Sequence, residues 1–191
     1  MKLINQKLAI EKLNNGLPII FQTDTLPAIG CLPKYSEIIY KTKKRDRDKP
    51  LILMGSETSQ LRKFVHQSAM EDFEFIASKY WPGALTMVIP LSDGQKSNFV
   101  STNSTLGIRI PNSSMAKSLI TQTGPLLTSS ANISGKTSST TAEEASIILP
   151  NVDILGPLPW EECSGFASTI ISWINVGKWK KIRDGQVTVS V

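Results

Sequence analysis

Apolar side chains recur along the chain in two rhythms, every third or fourth residue in some stretches and in short unbroken runs in others. The first rhythm marks amphipathic helices and the second marks buried strands. Asn5 caps a helix carrying Leu8, Ile10 and Leu13, which Gly16 stops; Leu17-Pro18-Ile19-Ile20-Phe21 follows as a strand with its proline near the start. Ser36 opens a second helix through Ile38, Ile39 and Tyr40 into a basic segment, and Pro50 ends it ahead of the strand Leu51-Ile52-Leu53-Met54. Leu61, Phe64 and Val65, then Met70, Phe73, Ile76 and Ala77, lie on two further helical stretches, with the lone His66 in that region; the turn Trp81-Pro82-Gly83 closes the second. Strands follow over residues 84–91, at Leu106-Gly107-Ile108-Arg109-Ile110 and at Leu126-Leu127-Thr128, with a polar surface loop over 92–104 and a helix over 114–123 between them. Thr141 and Glu144 supply a capping box for a last helix, and beyond Pro150 the chain reads mainly as strand, most clearly over 167–173 and 186–190. The alternation, without repeat or linker, predicts one α/β (α+β) domain over residues 1–191, built on a twisted mixed β-sheet flanked by helices.

Composition narrows the class. At 191 residues, 40% hydrophobic and 19% charged, the chain is long enough to hide roughly 70% of its extended surface without cross-links. Cys31 and Cys163 lie far apart, in no C-x-x-C pair, and read as buried reduced thiols rather than metal ligands. The start Met1-Lys2-Leu3-Ile4-Asn5 has no apolar signal core and no run approaches membrane-spanning length, so a cytoplasmic protein is expected. The glycosylation patterns at Asn103, Asn112 and Asn132 then carry no weight. Net charge is +5, and residues 41–49 hold six basic and two acidic side chains. That segment either binds an anion or is a solvated helix end whose cations face the negative dipole pole.

Familiar catalytic patterns fail one by one. Gly135-Lys136-Thr137 resembles the end of a phosphate-binding loop, but Ser130 stands where its first glycine belongs. His66 has no nucleophile elbow to serve. No cluster of carboxylates or histidines has metal-ligand spacing, so a metal is expected only with a nucleotide. Four segments remain that place hydroxyl, amide or cationic groups at the ends of predicted strands, where loops build sites. They are Thr23-Asp24-Thr25, Lys43-Lys44-Arg45, Leu106-Gly107-Ile108-Arg109-Ile110-Pro111 and Thr128-Ser129-Ser130-Ala131-Asn132-Ile133-Ser134-Gly135.

In order and spacing these segments resemble the YrdC-type domain of the threonylcarbamoyl-AMP synthases, and Trp81-Pro82-Gly83-Ala84-Leu85-Thr86, Ser168-Thr169-Ile170 and Ile182-Arg183-Asp184-Gly185 match further stretches of that family. The resemblance implies a single YrdC-like domain with a concave polar cavity. It implies a nucleotidyltransferase that joins L-threonine, bicarbonate and ATP into L-threonylcarbamoyladenylate, releasing pyrophosphate, for modification of adenosine 37 of transfer RNA. A carbamate is a weak nucleophile, so such catalysis rests on positioning and on fixed positive charge. By the resemblance, Lys43, Arg45, Ser130 and Asn132 are the catalytic set; Arg45, Lys49, Thr105, Ser130, Ser138 and Arg183 hold ATP; and Arg109 takes the threonine carboxylate, with Thr23, Thr128 and Ser168 completing that pocket. Mg²⁺ is expected with ATP. Double-stranded RNA or transfer RNA and a downstream threonylcarbamoyl transferase complex are the partners implied.

The match departs at Gln22, Pro27 and Ala28, where the family carries proline, an aromatic residue and glycine, which predicts a first loop of altered shape and a weakened activity. Met54 stands where many members have a histidine, and Thr140 where they have proline. A related domain acting on carbamoyl phosphate is disfavoured because it sits inside much longer chains. From a different class, an RNA-binding module that has lost catalysis would show salt-dependent affinity for duplex or transfer RNA.

Overall fold

The computed structural model describes residues 2–98 and 104–190. The chain opens with β1 (Leu3–Ile4), α1 (Gln6–Asn14), β2 (Ile19–Phe21) and β3 (Ala28–Cys31), followed by α2 (Glu37–Lys43), β4 (Ile52–Met54), α3 (Thr58–Arg62) and α4 (Met70–Tyr80). β5 (Leu85–Pro90), β6 (Thr105–Arg109), α5 (Ser114–Thr123) and β7 (Leu126–Ser130) come next, then α6 (Ala142–Ile148), β8 (Asp153–Leu155), β9 (Thr169–Asn175) and β10 (Lys178–Arg183). Three of these helices, α1, α5 and α6, start where the sequence offers an acceptor, whereas α2, α3 and α4 start without a side-chain cap. Asn5 Oδ1 accepts from the Leu8 amide at 3.0 Å, Ser113 Oγ from Ala116 at 3.3 Å and Thr141 Oγ1 from Glu144 at 3.1 Å.

All ten strands belong to one mixed sheet in the order β1-β8-β2-β3-β7-β4-β6-β5-β9-β10. β4 runs parallel to β6 and β5 to β9, whereas β7 runs antiparallel to both of its neighbours, β3 and β4. Alternation along each strand divides the apolar residues between two faces. Ile20, Leu53, Leu127, Met87 and Ile108 point to one face, which α2, α3, α4 and α6 cover with Ile39, Leu61, Phe73 and Ala145. Ile19, Phe21, Met54 and Leu126 point to the other, where α1 and α5 pack Leu13, Leu119 and Ile120. On this second face the clusters stop short of β6, β5 and β9. The bare stretch of sheet is where the site lies.

Sequence expectations change at several points. The helix read into the basic segment ends at Lys43, because Lys44 takes the left-handed conformation at φ 50°, ψ 47° and the Arg45 amide turns back to the Tyr40 carbonyl at 2.9 Å. The strand read over 186–190 is not formed: Val187 and Val189 pack on the core, but the Gln186 amide finds Ala167 and no ladder continues. His66 lies outside the helices; its ring nitrogen accepts from the Ser68 amide at 3.2 Å and caps a 3-10 turn. Cys31 is buried as expected, its thiol pushed up to about 12 by desolvation, whereas Cys163 is only half-buried. Of the loop read over 92–104, residues 99–103 lie outside those described.

Candidate active site

A cavity of about 500 Å³ occupies the uncovered face, floored by β4, β6, β5 and β9 and walled by three loops. Among the described residues five cationic side chains line it, Arg45, Arg47, Lys49, Arg109 and Arg183, against one carboxylate, Asp48. A low-dielectric wall concentrates that positive field, which suits a polyanion.

Arg109, at the end of β6, is 2% exposed. Its Nε donates to the Gly83 carbonyl at 3.0 Å, Nη1 to Thr25 Oγ1 at 2.8 Å and Nη2 to Asp24 Oδ1 at 2.6 Å. Burial pulls its pKa down and Asp24 pulls it back. Three of the five guanidinium donors are thus engaged among the described residues, leaving two for a planar anion. The loop between β2 and β3 delivers Asp24 and Thr25 through its own turn: Thr23 Oγ1 donates to the Leu26 carbonyl at 2.7 Å and accepts from the Thr25 amide at 3.2 Å. Thr23, expected in the amino-acid pocket, is not among the residues lining the cavity and instead closes the turn that presents Thr25. Thr25 and Asp24, which that reading passed over, make the contacts.

At the opposite end the α2–β4 loop presents Arg45 and Lys49. Arg45 Nε donates to the Lys49 carbonyl at 2.9 Å and Nη2 to that of Pro50 at 3.0 Å, closing the loop on itself and holding its cations against the cavity. Had α2 continued, these residues would have been spread around a helix. Ser130 and Asn132 follow β7. Ser130 Oγ donates to Asn132 Oδ1 at 2.6 Å, and Asn132 Nδ2 to the Lys136 carbonyl at 2.6 Å. The Lys43 ammonium, 1% exposed, sits beneath this turn and donates to the carbonyls of Ser130 and Asn132, the latter at 2.5 Å, and to Asn132 Oδ1 at 3.1 Å. Lys43 and Asn132 consequently shape the cavity wall from behind, while Ser130 faces the cavity.

The third wall is the stretch before β9 and the end of β10. Ser168 Oγ lies 2.8 Å from Thr86 Oγ1, and Arg183 Nη2 donates to the Ser168 carbonyl at 2.7 Å. Gly185 makes this closeness possible, because a Cβ there would lie 2.3 Å from the Ala167 carbonyl oxygen and 2.4 Å from the Thr169 nitrogen. Gly185→Ala should therefore displace Arg183 and cost about 1–3 kcal/mol of stability by overpacking, read from the urea midpoint.

The six residues expected around ATP, Arg45, Lys49, Thr105, Ser130, Ser138 and Arg183, all line this one cavity, as do Arg109, Thr128 and Ser168 from the amino-acid set. Comparison with known proteins places the chain in a family. A profile of the Sua5/YciO/YrdC family, described as "Telomere recombination", matches residues 11–185. The chain belongs to this family. The threonylcarbamoyl-AMP synthase of Bacillus subtilis is 35% identical over 130 residues, 65% of this chain and 37% of that protein. That of Idiomarina loihiensis is 30% identical over 131 residues, 66% of this chain and 70% of that protein. The structure of P. abyssi Sua5 complexed with L-threonine superposes with a TM-score of 0.86 at 26% identity, covering 97% of this chain and 58% of that one. The chain thus spans little more than a third of the B. subtilis relative and less than two thirds of the P. abyssi chain.

Three of the departures from the family pattern, Ala28, Gln22 and Thr140, have local explanations. Ala28 begins β3 in register with Ser130 and is not among the residues with positive φ, so no glycine is required there. Gln22 donates its side-chain amide to the Glu161 carbonyl at 2.7 Å, a bond proline cannot make. Thr140 donates from both its amide and hydroxyl to Glu144, at 2.7 and 3.0 Å, which holds that carboxyl below its usual range. Met54 lines the cavity in register with Arg109.

Proposed function

We propose that the chain condenses L-threonine, bicarbonate and ATP into L-threonylcarbamoyladenylate, releasing pyrophosphate, in the cytoplasm and in support of threonylcarbamoyl modification of transfer RNA. One observation carries the reading: a buried guanidinium, with two donors unused among the described residues, and a rim of cations and hydroxyls face each other across one cavity. The carboxylate of threonine binds Arg109 as a two-point fork. Its amine and bicarbonate give the carbamate and water. One carbamate oxygen then attacks the α-phosphorus of ATP, forming that O–P bond as the bond to the bridging oxygen of pyrophosphate breaks. Charge accumulating on the phosphate oxygens is met by Arg45, Lys49 and Arg183, with the Ser130, Thr105 and Ser138 hydroxyls fixing their orientation. ATP enters as its magnesium complex.

Pyrophosphate release should require threonine and bicarbonate together, and Arg45→Ala should reduce it about tenfold, the size of one lost charge-assisted contact. Tight binding of duplex or transfer RNA with no nucleotide binding would overturn the proposal in favour of an RNA-binding module.

A further inference from the structure

Two glycines lie inside strands among the described residues, Gly30 in β3 and Gly107 in β6. Gly30 has a packing reason, since a Cβ there would lie 2.8 Å from the Phe21 ring. Gly107 has none. Its φ is not in the left-handed range, and the nearest atoms a Cβ would meet are Ile52 Cγ1 at 3.5 Å, Thr86 Cγ2 at 3.7 Å and Ile52 Cα at 4.0 Å, ordinary contact distances. Glycine within a strand weakens it and marks a place where a ligand or another backbone comes close. Among the described residues the nearest backbone atom is Ile52 Cα at 4.0 Å, too far to require a glycine, and the missing Cβ lies on the side of the sheet where Ile52, Thr86 and Gly107 all line the cavity.

The position is central. Gly107 pairs with Ile52 on one side and Val88 on the other, two residues from Arg109 and two from Thr105, both of which line the cavity. Two residues of strand span roughly 7 Å, against about 5 Å from the carboxyl carbon to the carbamate oxygen of an extended carbamoylated amino acid by standard bond lengths. Resting on the function proposed above, the geometry points to Gly107 as a positioning residue: its bare backbone is the floor beneath the junction of amino acid and α-phosphate, the space needed only when both are bound. A side chain at this position leaves room for either ligand alone and none for their meeting.

The test is calorimetry in bicarbonate-free buffer, where no turnover occurs, titrating L-threonine into wild type, Gly107→Ala and Gly107→Val, each with and without saturating MgATP. Both variants should unfold at or above the wild-type midpoint, since the added carbon makes normal contacts and a β-branched residue favours strand. Each should bind threonine alone and ATP alone within about threefold of wild type. With ATP present, threonine affinity should fall at least tenfold in Gly107→Val and by less in Gly107→Ala. Equal affinity with and without ATP in Gly107→Val overturns this inference and leaves the proposed function standing. So does equal loss of both single ligands in a variant with unaltered stability. Wild type binding neither ligand overturns both.

Discussion

Arg109→Gln should lose threonine affinity by about a hundredfold and about 3–5 kcal/mol of folding stability, the cost of leaving one member of a buried ion pair alone. The Arg109 and Asp24 side chains are 3% and 14% exposed, so water does little to compensate Asp24 once the guanidinium is gone. The Gly83 carbonyl and Thr25 Oγ1 lose their donors at the same time. Arg109→Lys separates the two losses. A lysine ammonium facing Asp24 should restore much of the stability, but it has no planar fork for a carboxylate and should still bind threonine at least tenfold more weakly. Calorimetry with threonine, alongside urea unfolding, checks both. Unchanged threonine affinity in either variant would remove Arg109 from the amino-acid pocket.

The sequence made the frame of this site legible and hid its wiring. Strand and helix periods placed β4 to β7 and α5 because each has an apolar face to bury, and the motifs marked which loops turn inward. Whether a residue lines the cavity or braces it depends on contacts between elements distant in the chain. Thr23 and Thr25 are equivalent as residue types, yet the turn that Thr23 closes sends Thr25 to Arg109, 84 positions away. The α2 boundary was hidden for another reason: Lys44 carries a left-handed turn that its type does not advertise, and the Arg45 bonds to Lys49 and Pro50 hold the loop beyond it. Gly107 was visible in the sequence as a glycine within a strand pattern. Its meaning needed the distances around its missing Cβ.

Lys43→Met should lower ATP affinity by about a hundredfold without removing any group that faces the cavity. The ammonium holds the carbonyls of Ser130 and Asn132 and the Asn132 side-chain oxygen at one point, and with it the orientation of the Ser130 hydroxyl. Methionine fills the volume and donates nothing, so the buried Asn132 carbonyl loses its donor at about 1–3 kcal/mol and the turn relaxes away from the phosphates. The same lysine gives the variant a distinct pH signature. Burial, and then the nearby Arg45, lower its pKa to about 7 in the folded protein, whereas an unfolded chain titrates near 10.4. Between these values the unfolded chain holds the extra proton. The penalty for burying the charge is therefore fully present below pH 7 and is relieved as pH rises toward 10.4, by at most about 1.4 kcal/mol per pH unit. The carbonyls around Nζ favour the cation and keep the slope below that ceiling. Urea midpoints across pH 6.5 to 9 should show this rise in wild type relative to Lys43→Met. ATP affinity should decline over the same range, because a neutral amine has two N–H groups for three acceptors. Parallel stability curves for the two proteins would mean that Lys43 stays charged throughout, and ATP binding indifferent to Lys43→Met would mean that the Ser130 turn needs no support from behind.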